Sequence, residues 1–382
     1  MGCVTAITPK QRGFILIPLF FLIAISILYL GHYFVYVSIV HFFGITAFEP
    51  RLALVVVLLL LPLSFIASAF IAHWRDGFLS RVFYYCSTLW LGVGLTLLTA
   101  FAVAWTAEGL ARGLHRVPNL LWLGCAAVGL TILYSAYGIV NAYHPRVVSF
   151  NVRIRNLPPN WKGKTLVQLS DVHLGRILGA KFLARIVDQV NALKPDMVMI
   201  TGDLFDGADG NLESLVAPLN HLYAPLGAYF ATGNHETYLG VDRSIAALKT
   251  TPARVLSDER VVIDGLQVIG IGYPQRGESL RFAEKMARLR GFDPTLPSIL
   301  LYHSPTQVAA AKAAGISLQL SGHVHQGQIF PLQFVTRLIF GRYYHGLHTE
   351  GDYTLYTSSG TGVWGPTMRT GNHPEIAIFH LA

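Results

Sequence analysis

Apolar positions follow two different patterns along this chain. In the first part they run almost unbroken: residues 13–48, 52–74, 82–107 and 117–145 contain no Asp, Glu, Lys or Arg. A helix needs roughly 20 predominantly apolar residues to cross a bilayer, so these runs predict membrane-spanning helices. A helix in a soluble core would show one polar face and would not recur at this length. Beyond residue 145 the apolar runs shorten to strand length and alternate with helical stretches. Strands are expected at Thr165–Ser170, Met197–Thr201, 227–231, 266–271, 298–302 and 317–321, a helix near 180–193, and a further strand-rich set after residue 326.

This pattern predicts three parts: transmembrane helices over residues 1–143, a basic juxtamembrane linker over 144–164, and an α/β domain over 165–382. The linker carries Arg146, Arg153, Arg155, Lys162 and Lys164. With four spans, Lys10 and Arg12 lie on the same side as that linker, and the positive-inside tendency puts the domain in the cytoplasm, with Arg112 and Arg116 on the opposite side. Residues 13–48 are long for a single span, and a turn at Gly31-His32 would make five spans and move the domain across the membrane. The first run far exceeds the roughly 7–15 residues of a signal-peptide core, so it is not expected to be removed.

Composition agrees with a membrane protein: of 382 residues 52% are apolar and 13% charged. The net charge of +8 is accounted for by the juxtamembrane residues, and no basic-aromatic pattern suggests nucleic-acid binding. Cys86 and Cys125 sit in apolar runs, so neither a disulfide framework nor a thiolate metal site is expected. The start Met1-Gly2-Cys3 lacks the Ser or Thr at position 6 that a myristoylation signal requires. The span interiors lack Asp, Glu, Lys and Arg, which points to an anchor rather than a transport pathway; His32 and His41 are assigned to the interface.

Candidate chemistry is concentrated in five polar clusters, each directly after a strand-like run: Asp171-Val172-His173, Gly202-Asp203, Gly233-Asn234-His235-Glu236, His303 and Gly322-His323-Val324-His325. Open α/β sheets place their sites at the carboxyl ends of strands. If the strand continues through Asp171 and His173, both side chains point to one face. Asp203 offers two oxygens to bridge a pair of ions, Asn234 adds a neutral oxygen, and His303, His323 and His325 add nitrogen. That mixed set suits two divalent ions of the Mn, Fe or Zn type better than Ca. Any one residue alone reads as a cap, a turn or a hydrogen-bonded histidine; the ordered set reads as a metal centre. Asp206 could orient a ligand imidazole, Arg176 and Arg369 could grip a phosphate oxygen, and His345 and His348 read as loop residues.

Taken block by block and in order, these clusters resemble the motifs of the calcineurin-like metallophosphoesterases, over about residues 165–382. The resemblance implies a four-layer αββα sandwich with a binuclear centre: Asp171, His173 and His325 on one metal, Asn234, His303 and His323 on the other, Asp203 between them. It also implies that His235 stabilises or protonates the leaving oxygen, a task suited to an imidazole titrating near neutrality. The N-terminal spans, Gly322-His323-Val324-His325-Gln326-Gly327-Gln328 and the closing Ser358-Ser359-Gly360-Thr361-Gly362, with Arg369 and Pro374-Glu375-Ile376, resemble the branch of transmembrane proteins with a metallophosphoesterase domain and bacterial lipid-linked phosphoesterases. Val324 and Gln326 depart from that branch's usual Gly-His-Thr-His-Gly-Gly-Gln.

The expected activity is therefore hydrolysis of a phosphodiester or pyrophosphate by a protein of the bacterial inner membrane. A membrane anchor favours a lipid-linked substrate, with UDP-2,3-diacylglucosamine the specific candidate. A non-catalytic membrane receptor or accessory protein with a structural metal domain is the alternative, and loss of His235 or a ligand would have favoured it.

Overall fold

In a computed structural model, which describes residues 9–74, 77–207, 210–275, 278 and 281–382 with side chains omitted at 9–21 and 72–73, the charge-free runs form four long helices. These are α1 (Pro9–Phe42), α2 (Phe48–Trp74), α3 (Phe78–Gly113) and α4 (Leu120–Ala142). All four are long and apolar enough to cross a membrane. The start of the chain, with Cys3 and the Met1-Gly2 motif, lies outside the described residues. The chain forms two compact units: residues through Trp74 with Val82–Ser135, and Arg75–Arg81 with Ala136–Ala382.

In the first unit α1 is continuous through Gly31-His32, so the turn that would have given a fifth span is absent. Gly31 serves close packing instead: a Cβ there would stand 3.0 Å from Leu98. His32 is bonded within the unit. Its Nδ1 donates to Leu28 O at 2.8 Å and its Nε2 accepts from Trp90 Nε1 at 3.0 Å, satisfying both nitrogens as an apolar surrounding demands. The third apolar run also extends as helix beyond residue 107 and encloses buried Glu108, which pairs with His41 at 2.8 Å and Arg112 at 2.7 Å. Hydroxyls of Ser38, Thr96 and Thr131 bond to carbonyls one turn earlier in their own helices, the local solution where water is excluded.

The second unit holds two six-stranded sheets. The first is built from β1 (Arg146–Val152), β2 (Thr165–Leu169), β3 (Met197–Thr201), β4 (Ala228–Ala231) and β5 (Ala253–Val255), in the order β1, β12, β2, β3, β4, β5, where β12 is Glu375–Leu381. The second takes β6 (Glu259–Ile263), β7 (Leu266–Gly270), β8 (Ser298–Leu301), β9 (Leu318–Ser321), β10 (Gly346–Glu350) and β11 (Tyr353–Thr357), in the order β10, β11, β9, β8, β7, β6. The stretch expected as a linker thus supplies a strand: β1 pairs in parallel with β12, Arg146 opposite Glu375.

Side-chain alternation makes the layers. In β2, Leu166 faces a core shared with Val268, Ile299 and Leu320 of the other sheet, while Val167 and Leu169 face Phe182, Leu183 and Ile186 of α5 (Ala180–Ala192). A third core joins Ile269 and Leu300 of the second sheet to Phe282 and Met286 of α9 (Phe282–Arg288) and Ala311 of α10 (Val308–Ala313). The remaining helices in chain order are α6 (Leu212–Val216), α7 (Asn234–Leu239), α8 (Val241–Leu248), α9 (Phe282–Arg288), α10 (Val308–Ala313) and α11 (Leu332–Phe340). Helices cover both outer faces of two stacked sheets, which is the αββα sandwich.

Candidate metal centre

The central strands β2, β3, β4, β8 and β9 end on one side and hand over to the five polar clusters. The strand does not simply continue through the first of them. Asp171, His173, Asp203, His323 and His325 all have left-handed backbone, with φ of 53°, 53°, 50°, 74° and 49°. Such a conformation costs a residue with a side chain roughly 1–3 kcal/mol. Asp171 and His173 therefore converge through two left-handed residues and not through strand alternation.

Backbone hydrogen bonds hold that geometry. Asp171 N and His173 N donate to Gly202 O and Asp203 O at 3.1 Å each, and Gly362 N donates to Asp171 O at 2.9 Å. Close approach requires glycine at two neighbours: a Cβ on Gly233 would collide with Asp203 Oδ1, and one on Gly322 with Asp171 Oδ2. Glu236, to which sequence reasoning gave no role, is fully buried and accepts from Gly233 N at 2.6 Å, Asp203 N at 2.9 Å and Phe205 N at 3.2 Å. It ties the second cluster to the third. Burial, together with Asp203, pushes its carboxyl up to about 7.

The ligand-type atoms converge in three overlapping groups, each with its atoms within 4.8 Å of one another: Asp171, His173 and His325; His173, Asp203 and His235; Asp203, His303 and His323. His173 Nε2 lies 2.9 Å from His325 Nε2, and His325 Nε2 lies 3.4 Å from Asp171 Oδ1. On the other side Asn234 Oδ1 lies 3.1 Å from His303 Nε2 and 2.8 Å from His323 Nδ1, and Asp203 Oδ2 lies 3.1 Å from His303 Nε2. His303 Nδ1 donates to Thr201 O at 2.7 Å, which turns Nε2 toward Asn234 and Asp203.

Electrostatics divide these donors. Burial, then the positive partner His303, lowers His323 to about 4; burial, then His173, holds His325 well below the ordinary histidine value. Both imidazoles are neutral at pH 7 with a lone pair available. Burial opposes charge on His303, but Asp203 and Asp171 outweigh it and push its imidazole up to about 10. The carboxylates separate: burial raises Asp171, whereas at Asp203 burial is outweighed by His303 and the group falls below its usual range. Buried carboxylates beside imidazoles, with no Lys in the set, form a donor set for hard to borderline divalent cations once His303 gives up its proton in favour of the ion.

The two candidate arginines stand in different surroundings. Arg369 is fully buried and its guanidinium is committed inward: NH2 lies 3.0 Å from His325 Nδ1 and 2.6 Å from Gly362 O, and NH1 donates to Asn372 Oδ1 at 2.7 Å. A guanidinium held by these three partners does not reach out to a substrate, so Arg369 is a residue that positions His325. Arg176 lines a cleft of about 530 Å³ with Arg81, Lys181 and Asn211. His235 donates from Nδ1 to Asp206 O at 2.8 Å and its backbone N–H donates to Asp203 Oδ1 at 2.8 Å. Burial, then His173, lowers its imidazole below the ordinary value. The Asp206 carboxylate lies 3.6 Å from His173 Nδ1. His345 stands 3.4 Å from Glu375, and His348 belongs to β10.

The family model for calcineurin-like phosphoesterases matches residues 164–327. An uncharacterized metallophosphoesterase of Campylobacter jejuni is 32% identical over 329 residues, covering 83% of this chain and 87% of that protein. A transmembrane protein with metallophosphoesterase domain of Danio rerio is 37% identical over 289 residues, covering 70% of this chain and 63% of that protein. Among solved structures, a dimetal phosphatase from Danio rerio aligns with 52% of this chain and 88% of its own at 13% identity and a TM-score of 0.33.

Proposed function

The chain belongs to the calcineurin-like metallophosphoesterases, and from that premise we propose that it hydrolyses a phosphodiester or pyrophosphate bond in a lipid-linked substrate, with UDP-2,3-diacylglucosamine the first to test. In this reading residues 1–143 anchor a catalytic domain over 165–382 to the bacterial inner membrane, on its cytoplasmic side. Asp171, His173 and His325 hold one divalent ion, Asn234, His303 and His323 the second, and Asp203 both; Mn, Fe and Zn are the candidates. The observation that carries the reading is the convergence of these seven side chains at the strand ends, five of them on left-handed backbone.

A pair of divalent ions supplies charge neutralisation for an anionic phosphoryl group and acidification of a water. What the protein does around them follows from its own contacts. Ser170 Oγ donates to Asp171 Oδ2 at 2.5 Å and His323 N donates to Asp171 Oδ1 at 3.0 Å, so that carboxylate presents a fixed direction. The Nδ1 donation of His235 to Asp206 O commits that nitrogen and leaves Nε2 to exchange a proton with a leaving oxygen. Trp364 and Tyr238, both exposed, stand with ring centroids 6.1 and 5.3 Å from that of His235; an apolar rim of this kind suits a substrate with acyl chains.

The test is an assay of the purified full chain with Mn²⁺ against bis-p-nitrophenyl phosphate, p-nitrophenyl phosphate and UDP-2,3-diacylglucosamine, beside Asp203→Asn. Turnover that requires both the metal and Asp203 is expected. Folded protein that turns over none of the three would overturn the reading.

A further inference from the structure

Helix α11 begins five residues after Gly327 and carries its apolar side outward. Its inner face, with Gln333, Thr336 and Phe340, turns to the protein: the Phe340 ring is 6.1 Å from that of His323, and Gln333 lies against Gly371. The opposite face consists of Phe334, Val335, Leu338 and Ile339, which are 61%, 50%, 85% and 67% exposed. Four neighbouring large apolar side chains at helical spacing, with Arg337 exposed at the flank, form a surface that water does not favour.

What lies beyond that face is indicated by the contacts at the root of the helix. The end of α4, itself within an apolar span ending at Ala142, is bonded into the segment that supports α11. Arg369 N donates to Gly138 O at 2.9 Å, and Asn141 Nδ2 donates to Arg369 O at 2.8 Å and Asn372 O at 2.7 Å. A Cβ on Gly138 would meet Met368 at 3.4 Å. The same segment continues to α11: Thr370 N donates to Gln328 O at 3.1 Å and Phe330 N donates to Thr370 Oγ1 at 3.2 Å. One short hydrogen-bonded stack therefore connects the end of a span to the first turn of an outward-facing apolar helix.

We infer that α11 is an interfacial helix whose Phe334, Val335, Leu338 and Ile339 are immersed in the bilayer, with Arg337 at the phosphate level, placing the site beside His323 at the membrane boundary. An amphipathic helix of this build sits with its apolar face about 5–10 Å into the headgroup and acyl boundary, and a flanking arginine extends its charge to the phosphates. Immersion rests only on the exposure and the stack. Its consequence, that a lipid-linked ester reaches the metals without leaving the bilayer, rests on the proposed phosphoesterase function.

The experiment uses the full chain in phosphatidylcholine–phosphatidylglycerol vesicles, with Cys3→Ser, Cys86→Ala and Cys125→Ala as background. A nitroxide on Leu338→Cys is compared with one on Tyr223→Cys, an exposed site elsewhere on the same unit. Immersion predicts that the label at 338 collides with oxygen more than with a water-soluble nickel chelate, with the reverse order at 223. Equal chelate access at both sites overturns it, as does spin–spin broadening at 338 that disappears on mixing with unlabelled protein, which would mean that a second copy covers the face. In the activity arm, Leu338→Glu with Ile339→Glu should lower turnover of vesicle-borne UDP-2,3-diacylglucosamine about tenfold or more and leave bis-p-nitrophenyl phosphate turnover unchanged. Equal losses on both substrates overturn the delivery role. Absence of turnover in the parent protein would count against the phosphoesterase reading alone, because the collision measurement does not depend on it.

Discussion

Arg369 and His325 form a buried pair in which the guanidinium NH2 lies 3.0 Å from Nδ1 of the imidazole, and the backbone of His325 is held by Asn372 through its carbonyl. Burial lowers the Arg369 guanidinium to about 10, opposed by the nearby carboxylates Asp171 and Glu375; it remains charged at neutral pH.

Removing that guanidinium should therefore disturb the metal centre and the fold together. Arg369→Ala is expected to lower metal affinity about 10–100-fold, as the loss of groups that orient metal ligands does, and to cost about 1–3 kcal/mol from unsatisfied buried acceptors. Arg369→Lys keeps the charge but not the fork and should recover only part of both. Metal content by mass spectrometry and thermal unfolding measure the two effects; unchanged metal content in Arg369→Ala would contradict the positioning role.

His235 is expected to matter for chemistry and not for occupancy. His235→Ala should retain both metals and lose about 10²–10⁴-fold in turnover, with the larger loss on an alkyl phosphodiester whose leaving oxygen needs a proton. The smaller loss is expected on bis-p-nitrophenyl phosphate. An equal loss on both leaving groups would remove the proton-transfer role and leave an orienting one.

Two glycines should tolerate nothing larger. Gly233→Ala and Gly322→Ala drive a methyl into Asp203 Oδ1 and Asp171 Oδ2 respectively, so each variant is expected to lose metal while the sheets persist. Circular dichroism with metal analysis separates the two outcomes, and full metal occupancy in either variant would show that the carboxylates can move aside.

Acid should weaken the domain through Glu375. Burial raises its carboxyl, but His345, Tyr356 Oη at 2.6 Å and Ser359 N at 2.8 Å outweigh this and hold it below the usual value. A carboxyl depressed in the folded state stabilises above its unfolded value, and that contribution is lost as pH falls through its folded value. Glu375→Gln should thus be less stable than the parent by about 2 kcal/mol at pH 7, with the gap narrowing below pH ~4.5. A gap that does not change with pH would place the stabilisation in packing.

The residue types at the site were legible in the sequence because each follows a short apolar run, and such a run ends where its strand ends. The αββα layers were implied by the resemblance of the ordered clusters to a known family, and the spans were legible from the absence of charge over lengths that a bilayer sets. The conformation of the site residues was not legible: left-handed φ at Asp171 or Asp203 is locally unfavourable and is held by Gly202 and Gly362 around Asp171 and by Glu236 at the Asp203 N–H.

The sequence by itself determined that this chain joins apolar spans to an α/β domain with a metal-ligand set, since apolar run length, periodicity and ligand chemistry are local properties, and the order of its motifs carried the resemblance to the metallophosphoesterases. Tertiary structure alone decided that Arg369 serves His325 and not a substrate, that Gly31 packs against Leu98 instead of turning the chain, and that Arg146–Val152 joins β12, more than two hundred residues away. Each of these depends on what a distant segment offers: a guanidinium, a glycine or a free strand edge has several local uses, and the partner brought to it by the fold selects one.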